Sequence, residues 1–147
     1  MASESLDFPK NPSRADVAAA RVARLATHNP SGENDLVPIT FALVDDTIVT
    51  AVDHKPKRTT QLQRLENIRQ NPNVTVLVDH FDEDWSQLWW CRARGNATDV
   101  DAPEPSLLEP LVAKYAQYRE HHPDGPAIVI HLTEVVAWSG SPGLGDY

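Results

Sequence analysis

A cluster of positive charges and hydroxyl groups lies in the middle of this acidic chain, between Asp53 and Val74. The stretch reads DHKPKRTTQLQRLENIRQNPNV and holds five Lys or Arg residues around a single Glu, in a protein whose formal net charge is -8. Ammonium, guanidinium and hydroxyl groups gathered in this way favour the binding of a phosphate. The candidate phosphate ligands are Lys55, Lys57, Arg58, Thr59, Thr60 and Arg64.

The cluster lies where a strand is expected to give way to a helix. A strand is predicted to end near Val52, and the spacing of three between Leu62, Leu65 and Ile68 indicates a helix with one buried stripe. Pro72 ends that helix, because a proline disfavours helical geometry at the residue before it. Free backbone N–H groups and the helix dipole at the first turn would strengthen an anion site there.

Two further polar residues of this helix share a face with Thr60. Arg64 and Asn67 lie four and seven positions after Thr60, on the side opposite Leu62 and Leu65. Arg64 is within reach of the same anion, whereas Asn67 lies nearly two turns along and is the weaker candidate. The alternative, a solvated basic helix face, is equally compatible with the composition alone.

No other pattern in the sequence points to catalysis or metal binding. The six His residues have no ligand spacing with Cys or carboxylates, and the acidic DHFDED lacks the glycine-containing spacing of a calcium loop. Cys91 is expected to be buried and inert, because nothing nearby forms a nucleophile and base pair. No glycine-rich nucleotide loop is present. We therefore expect no metal site and no dedicated catalytic side chain.

Composition limits the class of protein. The 147 residues suffice for one domain, with residues 1–12 and 140–147 as flexible ends, and no apolar run is long enough to span a bilayer. The N-terminus lacks a secretory signal, and a single cysteine agrees with a reducing cytoplasm. The overall acidity argues against nucleic acid as a partner. We expect a cytoplasmic protein in which any anion site is local.

The other elements are predicted from periodicity and turn signals. Ser13 and Asp16 resemble a capping box that opens a short helix through about Ala20. A helix from about Pro105 to Arg119 is expected to break or restart near Pro110. Six strands are predicted, with a tight hairpin turn after the second: RVARLAT, LVPITFALV, TIVTAV, VTVLVDHF, LWWCRARGNATDV and AIVIHLTEVVAW.

These strands suggest an α+β domain that is mainly β, with a barrel or a strongly curled antiparallel sheet. The hairpin turn is placed at Asp45 and Asp46. In the fifth strand one face carries Trp89, Cys91, Ala93, Gly95 and Ala97, and the other carries Trp90, Arg92, Arg94, Asn96 and Thr98. The second face is polar and needs a functional or structural explanation.

Nearly the whole chain, about Val17 to Trp138, resembles the pyridoxamine-phosphate-oxidase-like split β-barrel proteins. The residues that carry the resemblance are VARLAT, LVPITFAL and above all AVDHKPKRTTQLQRLENIRQNPNVTVLVDHFDEDWSQLWWCRARGNA. Within that family the chain is most similar to an actinobacterial group of coenzyme F420 (deazaflavin)-dependent enzymes. The basic and His positions that recognise the substrate in true pyridoxamine-phosphate oxidases are not evident in the C-terminal AWSGSPGLGDY, so vitamin B6 oxidation is not expected.

The resemblance implies a six-stranded antiparallel split barrel with short flanking helices, of the FMN-binding type. It implies a homodimer that holds its cofactor in a groove between the subunits, and a cofactor phosphate gripped by Lys55, Lys57, Arg58, Thr59, Thr60 and Arg64. The stretch before NPNV is about one helical turn longer than in flavin-binding members. Which of Lys57, Arg58 and Arg64 makes which phosphate contact therefore stays open. The cofactor ring carries the reactivity, and the protein binds, orients and shields it.

Aromatic residues next to that groove are, after the basic cluster, the second candidate for contact with the cofactor. DEDWSQLWW brings Trp85, Trp89 and Trp90 into six residues, and Trp85 is our choice to wall the cofactor groove. Core or dimer packing is the alternative for each Trp. Pro38 and Thr40, with the Ile39 between them, are candidates to line the same groove, although an alternating strand explains them equally well.

Three functions follow from the resemblance. The first is an oxidoreductase that transfers a hydride between reduced F420 and a small organic acceptor. The second is an FMN-dependent oxidoreductase of the same fold, and the third is a non-enzymatic protein that binds a cofactor or haem. The extra basic residues favour F420, which is more anionic than FMN and ends in a polyglutamate tail that Arg92 or Arg94 would be able to meet.

Overall fold

A computed structural model of the chain describes residues 6–52 and 58–140, with side chains described for residues 6–52 and 63–140. The helices are α1 (Arg14–Ala19), α2 (Arg58–Gln70), α3 (Pro105–Lys114) and α4 (Ala116–Glu120), and a single 3-10 turn covers Trp85–Gln87. The strands are β1 (Ala23–His28), β2 (Asn34–Ile39), β3 (Ala42–Val44), β4 (Thr47–Ala51), β5 (Asn73–His80), β6 (Trp89–Val100) and β7 (Ala127–Ser139).

The described strands form one antiparallel sheet in the order β2-β1-β5-β6-β7-β4-β3. Strands β2 and β3 lie at opposite edges of this sheet, yet only Thr40 and Phe41 separate them in the chain. The sheet must therefore curl until its two edges meet, which produces the predicted curled antiparallel architecture. The predicted count of six strands is wrong, because LVPITFALV forms two strands on opposite edges.

The bend between β2 and β3 is held by α3 and α4. The Tyr115 hydroxyl accepts a hydrogen bond from the Phe41 amide (3.1 Å), and the Lys114 ammonium donates to the Phe41 carbonyl (2.9 Å). The Thr40 and Tyr118 hydroxyls lie 2.7 Å apart. Phe41 itself is fully buried. The backbone groups that a continuous strand would have paired with a neighbouring strand are thus satisfied by side chains from distant elements.

Helix α1 and the hairpin turn agree with the sequence. The Ser13 hydroxyl accepts from the Asp16 amide (3.1 Å) and the Asp16 carboxylate accepts from the Ser13 amide (2.9 Å), which completes the predicted capping box. Asp45 opens the two-residue turn between β3 and β4 with a φ of 53°. Aspartate tolerates this left-handed conformation better than most residues, so the predicted turn is confirmed.

The helical region that follows β6 differs from the prediction. Helix α3 runs through Pro110 without interruption, and the break falls instead at Tyr115, whose backbone is extended (φ -114°, ψ 121°). That break directs the Tyr115 ring into the bend described above, where its hydroxyl has partners. The tertiary contact, rather than the proline, therefore decides where the helix ends.

The core lies inside the curled sheet and is closed by α2. On β6 the inner residues Cys91, Ala93, Gly95 and Ala97 are buried, as the alternation predicts, while Arg94, Asn96 and Thr98 are exposed. Leu65 and Ile68 of α2 pack into the same core, which confirms that part of the predicted stripe. The side chain of Leu62 lies outside the described residues.

The first described residues are attached to the body of the domain. Leu6 and Phe8 pack against the core, and the Leu6 amide donates to the Asp46 carboxylate (2.8 Å). Arg14 donates to the other oxygen of Asp46 (2.7 Å) and holds the pKa of that carboxyl below its usual range. This segment thereby joins α1 to the β3–β4 turn.

The contacts of the bend predict different costs for two Tyr to Phe substitutions. Tyr115→Phe leaves the buried Phe41 amide without its partner and should lower the free energy of unfolding by about 1–3 kcal/mol. Tyr118→Phe, the matched control, removes a hydroxyl whose partner Thr40 is accessible to water, and should cost less than about 1 kcal/mol. Urea denaturation monitored by circular dichroism measures both. Equal losses would contradict the role assigned to Tyr115.

Burial of Cys91 predicts an unreactive thiol. The residue is 2% exposed, and burial raises the pKa of its thiol to about 11. At about pH 8 roughly one thiol in a thousand is ionised in the folded protein, against about a quarter in an unfolded chain. Ellman's reagent should therefore label Cys91 at least about a hundredfold more slowly in buffer than in concentrated guanidinium chloride. Rapid labelling of the folded protein, increasing through neutral pH, would refute this.

Candidate functional site

The predicted phosphate site is only partly within the described residues. Lys55 and Lys57 lie outside them. Arg58, Thr59 and Thr60 form the first turn of α2, at the predicted junction after β4, and their side chains are not described. Arg64, one turn further along the helix, is the member of the cluster whose surroundings are defined.

Arg64 is a partly buried cation that has no counter-ion among the described residues. Its Nε atom is buried and has no hydrogen-bond partner among the described residues, and none of their carboxylates lies within 4.0 Å of its guanidinium. Burial lowers the pKa of Arg64. By contrast Arg69 on the same helix is paired with Asp99 at 2.6 Å. Arg64 therefore carries a desolvated positive charge that an anion would stabilise.

A cleft of about 440 Å³ lies in front of Arg64, and we call it the helix cleft. One wall comes from α2 and the other from the β1–β2 hairpin. Its lining residues are Thr27, Asn34, Asp35, Leu36, Val37, Gln63 and Arg64. The cleft contains one cation, one carboxylate and several amide and hydroxyl groups. The cation and the amide and hydroxyl donors are groups that bind a phosphate or carboxylate.

Asn67 fixes the position of α2 beside this cleft. It is 0% exposed, and its Nδ2 donates to the Thr27 hydroxyl (3.0 Å) and to the Asp35 carboxylate (2.8 Å). Its Oδ1 accepts from Gln63 (2.8 Å). The sequence placed Asn67 opposite the buried stripe of α2, as the weaker candidate ligand. In the structure its side chain is a buried link between α2 and the hairpin.

Asp35 is occupied by this network. One carboxylate oxygen accepts from Asn67 and the other from Asn29 in the hairpin loop (3.2 Å). Asp35 lines the helix cleft but does not approach Arg64 closely enough for an ion pair. The hydrogen bonds to Asn67 and Asn29 hold this carboxylate within the wall and away from the cation.

Pro38 and Thr40 are not brought to the helix cleft. Pro38 is exposed on β2 and pairs with Arg24 of β1. Thr40 is half-buried at the bend, with its hydroxyl directed to Tyr118. Neither residue therefore lines the helix cleft, to which β2 contributes Asn34, Asp35, Leu36 and Val37.

Trp85 lies at a second, larger depression of about 950 Å³, which we call the aromatic groove. Four tryptophans line it. The other lining side chains come from the end of β5, the β5–β6 connection, the start of β6 and the end of β7. The main lining residues are Leu77, Asp79, His80, Phe81, Trp85, Trp89, Trp90, Arg92 and Trp138. Trp85 is 69% exposed, so its ring is available to a ligand or partner.

Sequence reasoning identified three of these tryptophans and missed the fourth. Trp138 of β7 lies directly opposite Trp90 of β6 in the strand register. Finding Trp138 from the sequence would have required the pairing register of β6 and β7, which places it beside Trp90. His80 was also missed; its ring stacks on that of Trp89 with centroids 6.1 Å apart.

The described residues show neither a metal-binding cluster nor a helix that could span a membrane. They contain no group of three or more His, Cys, Asp or Glu side chains arranged to hold a metal ion. None of the helices described is both long and apolar enough to cross a membrane.

Solved structures with the same fold are similar to this chain at low sequence identity. The conserved hypothetical protein Rv2991 of Mycobacterium tuberculosis is 19% identical, covers 99% of this chain and 94% of its own, and superposes with a TM-score of 0.67. An FAD-binding protein of Mycobacterium smegmatis is 16% identical, with 90% and 96% coverage and a TM-score of 0.58. HutZ, the haem storage protein of Vibrio cholerae, is 12% identical, with 82% and 86% coverage and a TM-score of 0.60.

At these identities the similarity concerns the fold alone, and the bound groups named are those of the other proteins. None of the curated proteins matches this chain in sequence. A family match is present, however, and it extends over residues 13–139, from the cap of α1 to the end of β7. Because this match covers most of the sequence, the chain belongs to the pyridoxamine 5'-phosphate oxidase family.

Proposed function

We propose that this protein is an oxidoreductase that binds the deazaflavin coenzyme F420 and transfers a hydride between this cofactor and a small organic acceptor. The observation that carries the proposal is Arg64 in the helix cleft, a partly buried cation whose buried Nε atom has no hydrogen-bond partner among the described residues. A cofactor phosphate is the anion that we assign to it. Lys55, Lys57, Arg58, Thr59 and Thr60 precede Arg64 in the chain and are proposed as its other ligands.

The energetics of Arg64 support a resident anion. Removing a cation from water costs free energy unless a partner of opposite charge or several hydrogen bonds compensate. Among the described residues Arg64 has no acidic partner, and Asp35 is held by Asn67 and Asn29. A phosphate in the cleft would pair with Arg64 through charge-assisted hydrogen bonds, which are stronger than neutral ones.

The proposed chemistry needs few side chains. A bound deazaflavin supplies the carbon that gives or takes the hydride, so the protein has to bind, orient and shield the ring. Arg64 and the start of α2 would hold the phosphate end. Trp85 and its neighbours in the aromatic groove offer flat apolar surface for a ring or for the acceptor.

A homodimer is part of the proposal. The outer face of the sheet exposes Leu77 and Val136, which lie on either side of Arg92 in one row across β5, β6 and β7. Leu36, on the same outer face at the sheet edge, is 65% exposed. Apolar side chains aligned in this way favour contact with another protein surface. We propose that a second copy packs on this face beside Arg92 and leaves the Arg92 side chain open to the aromatic groove.

Two alternatives are supported by specific observations. The FAD-binding protein of similar fold supports a flavin cofactor such as FMN in place of F420. The haem storage protein of similar fold, together with His80 beside the four tryptophans, supports a non-enzymatic haem-binding function. F420 is preferred because the segment from Lys55 to Trp90 resembles the F420-dependent group and because the positive cluster suits a strongly anionic cofactor.

Parallel titrations distinguish these functions. Purified protein is titrated with F420, FMN and haem under identical conditions, with cofactor fluorescence or haem absorbance as the signal. We expect saturable binding of F420, with affinity at least about tenfold above that for FMN. Tight binding of haem alone would replace the proposal by the haem-binding alternative, and tight binding of FMN alone would replace the cofactor.

The role of Arg64 is tested by a matched pair of substitutions on α2. Arg64→Gln removes the unpaired charge from the helix cleft and should weaken F420 binding by about tenfold or more. Arg69→Gln removes the same charge from a surface pair with Asp99 and should change the affinity by less than about twofold. Fluorescence titration measures both dissociation constants.

The double substitution Lys57→Ala and Arg58→Ala tests two of the other proposed phosphate ligands. It should weaken F420 binding while thermal unfolding stays cooperative and close to that of the wild type. If Arg64→Gln and the double variant both bind F420 with wild-type affinity, the assigned phosphate site is wrong.

A further inference from the structure

The aromatic groove has the shape and lining of a site for a planar molecule. Its volume is about 950 Å³, and Trp85, Trp89, Trp90 and Trp138 contribute to its walls. Indole rings bind flat conjugated molecules by stacking and by burial of apolar area. The groove shares none of its lining residues with the helix cleft, so the two depressions are able to bind different chemical groups.

Arg92 gives this apolar groove a positive charge. Its Nε atom is buried and lacks a hydrogen-bond partner among the described residues, and its guanidinium lies over the Trp90 ring at 5.9 Å. Asp79, which lines the same groove, is paired with Arg24 at 3.0 Å. In the described part of the chain, no carboxylate lies within 4.0 Å of Arg92.

The neighbours of Arg92 strengthen its attraction for an anion. Leu77 and Val136 lie directly opposite it on β5 and β7, so both flanks of the side chain are apolar. A charge next to apolar groups is screened less than one in water. Arg94, two residues further along the same face, differs in this respect, because Glu134 lies 3.6 Å from its guanidinium.

We infer that the aromatic groove binds a planar conjugated molecule that carries a carboxylate, and that Arg92 selects for the carboxylate. The stacking surface and the unpaired charge lie in one depression, and this juxtaposition specifies both parts of the ligand. The inference rests on the proposed function in one respect, namely that this molecule is the hydride acceptor. A carboxylate of the cofactor tail has the same chemistry, and the experiment separates the two sources.

The experiment compares 2-naphthoate with 2-naphthamide by isothermal titration calorimetry. The two probes have the same ring system and similar size, but only 2-naphthoate carries a negative charge. Wild-type protein should bind the carboxylate about tenfold more tightly than the amide. Arg92→Gln should abolish this preference, whereas Arg94→Gln, the matched control on the same face, should retain it. Both variants should bind F420 with wild-type affinity.

Four results would overturn the inference. The first is equal affinity of the wild type for the two probes, and the second is an equal loss of preference in Arg94→Gln. The third is weaker F420 binding by Arg92→Gln, which would assign the groove to the cofactor tail. The fourth is a change of oligomeric state in Arg92→Gln, seen by analytical ultracentrifugation, which would assign Arg92 to a second copy. If the protein prefers 2-naphthoate but does not bind F420, the carboxylate site in the aromatic groove is supported and the proposed function is refuted.

Discussion

The buried side chain of Asn67 is the constraint on which the site depends. It joins the middle of α2 to Thr27 and Asp35 of the β1–β2 hairpin, at a position with no access to water. A buried amide with these partners allows one placement of the helix, because any shift would leave polar groups unpaired. The same contacts set the distance between Arg64 on the helix and the opposite wall of the helix cleft. The buried contacts of Asn67 therefore fix the position of the Arg64 cation.

The two depressions of the molecule follow one physical pattern. In the part of the chain that the structure describes, the buried side-chain nitrogen atoms without partners are the Nε atoms of Arg64 and Arg92. Each belongs to an arginine that lines a depression and has no carboxylate within 4.0 Å among the described residues. Arg69 and Arg94, their neighbours on the same elements, are paired. In both depressions an arginine lacks a described acidic partner, whereas the neighbouring arginine has one. We expect this pattern at sites that bind anions.

Features encoded by local sequence were predictable, and those set by distant contacts were not. The alternation along β6 and the turn at Asp45 follow from side-chain periodicity and turn chemistry. The split of LVPITFALV into two strands depends on Tyr115, which lies far along the chain and binds Phe41. The burial of Asn67 also depends on partners in another element. The basic cluster identified Arg64 as a candidate ligand, but only the fold shows that its charge is unpaired.

The proposed function depends on one contact, between the Arg64 guanidinium and the phosphate of a redox cofactor. A crystal structure of the protein with F420 tests it most directly, through the distance between the phosphate oxygens and the Arg64 guanidinium. We expect a charge-assisted hydrogen bond of about 2.7–2.9 Å, with the phosphate inside the helix cleft beside Gln63. A phosphate bound elsewhere, with Arg64 unchanged and the helix cleft filled by water, would contradict it.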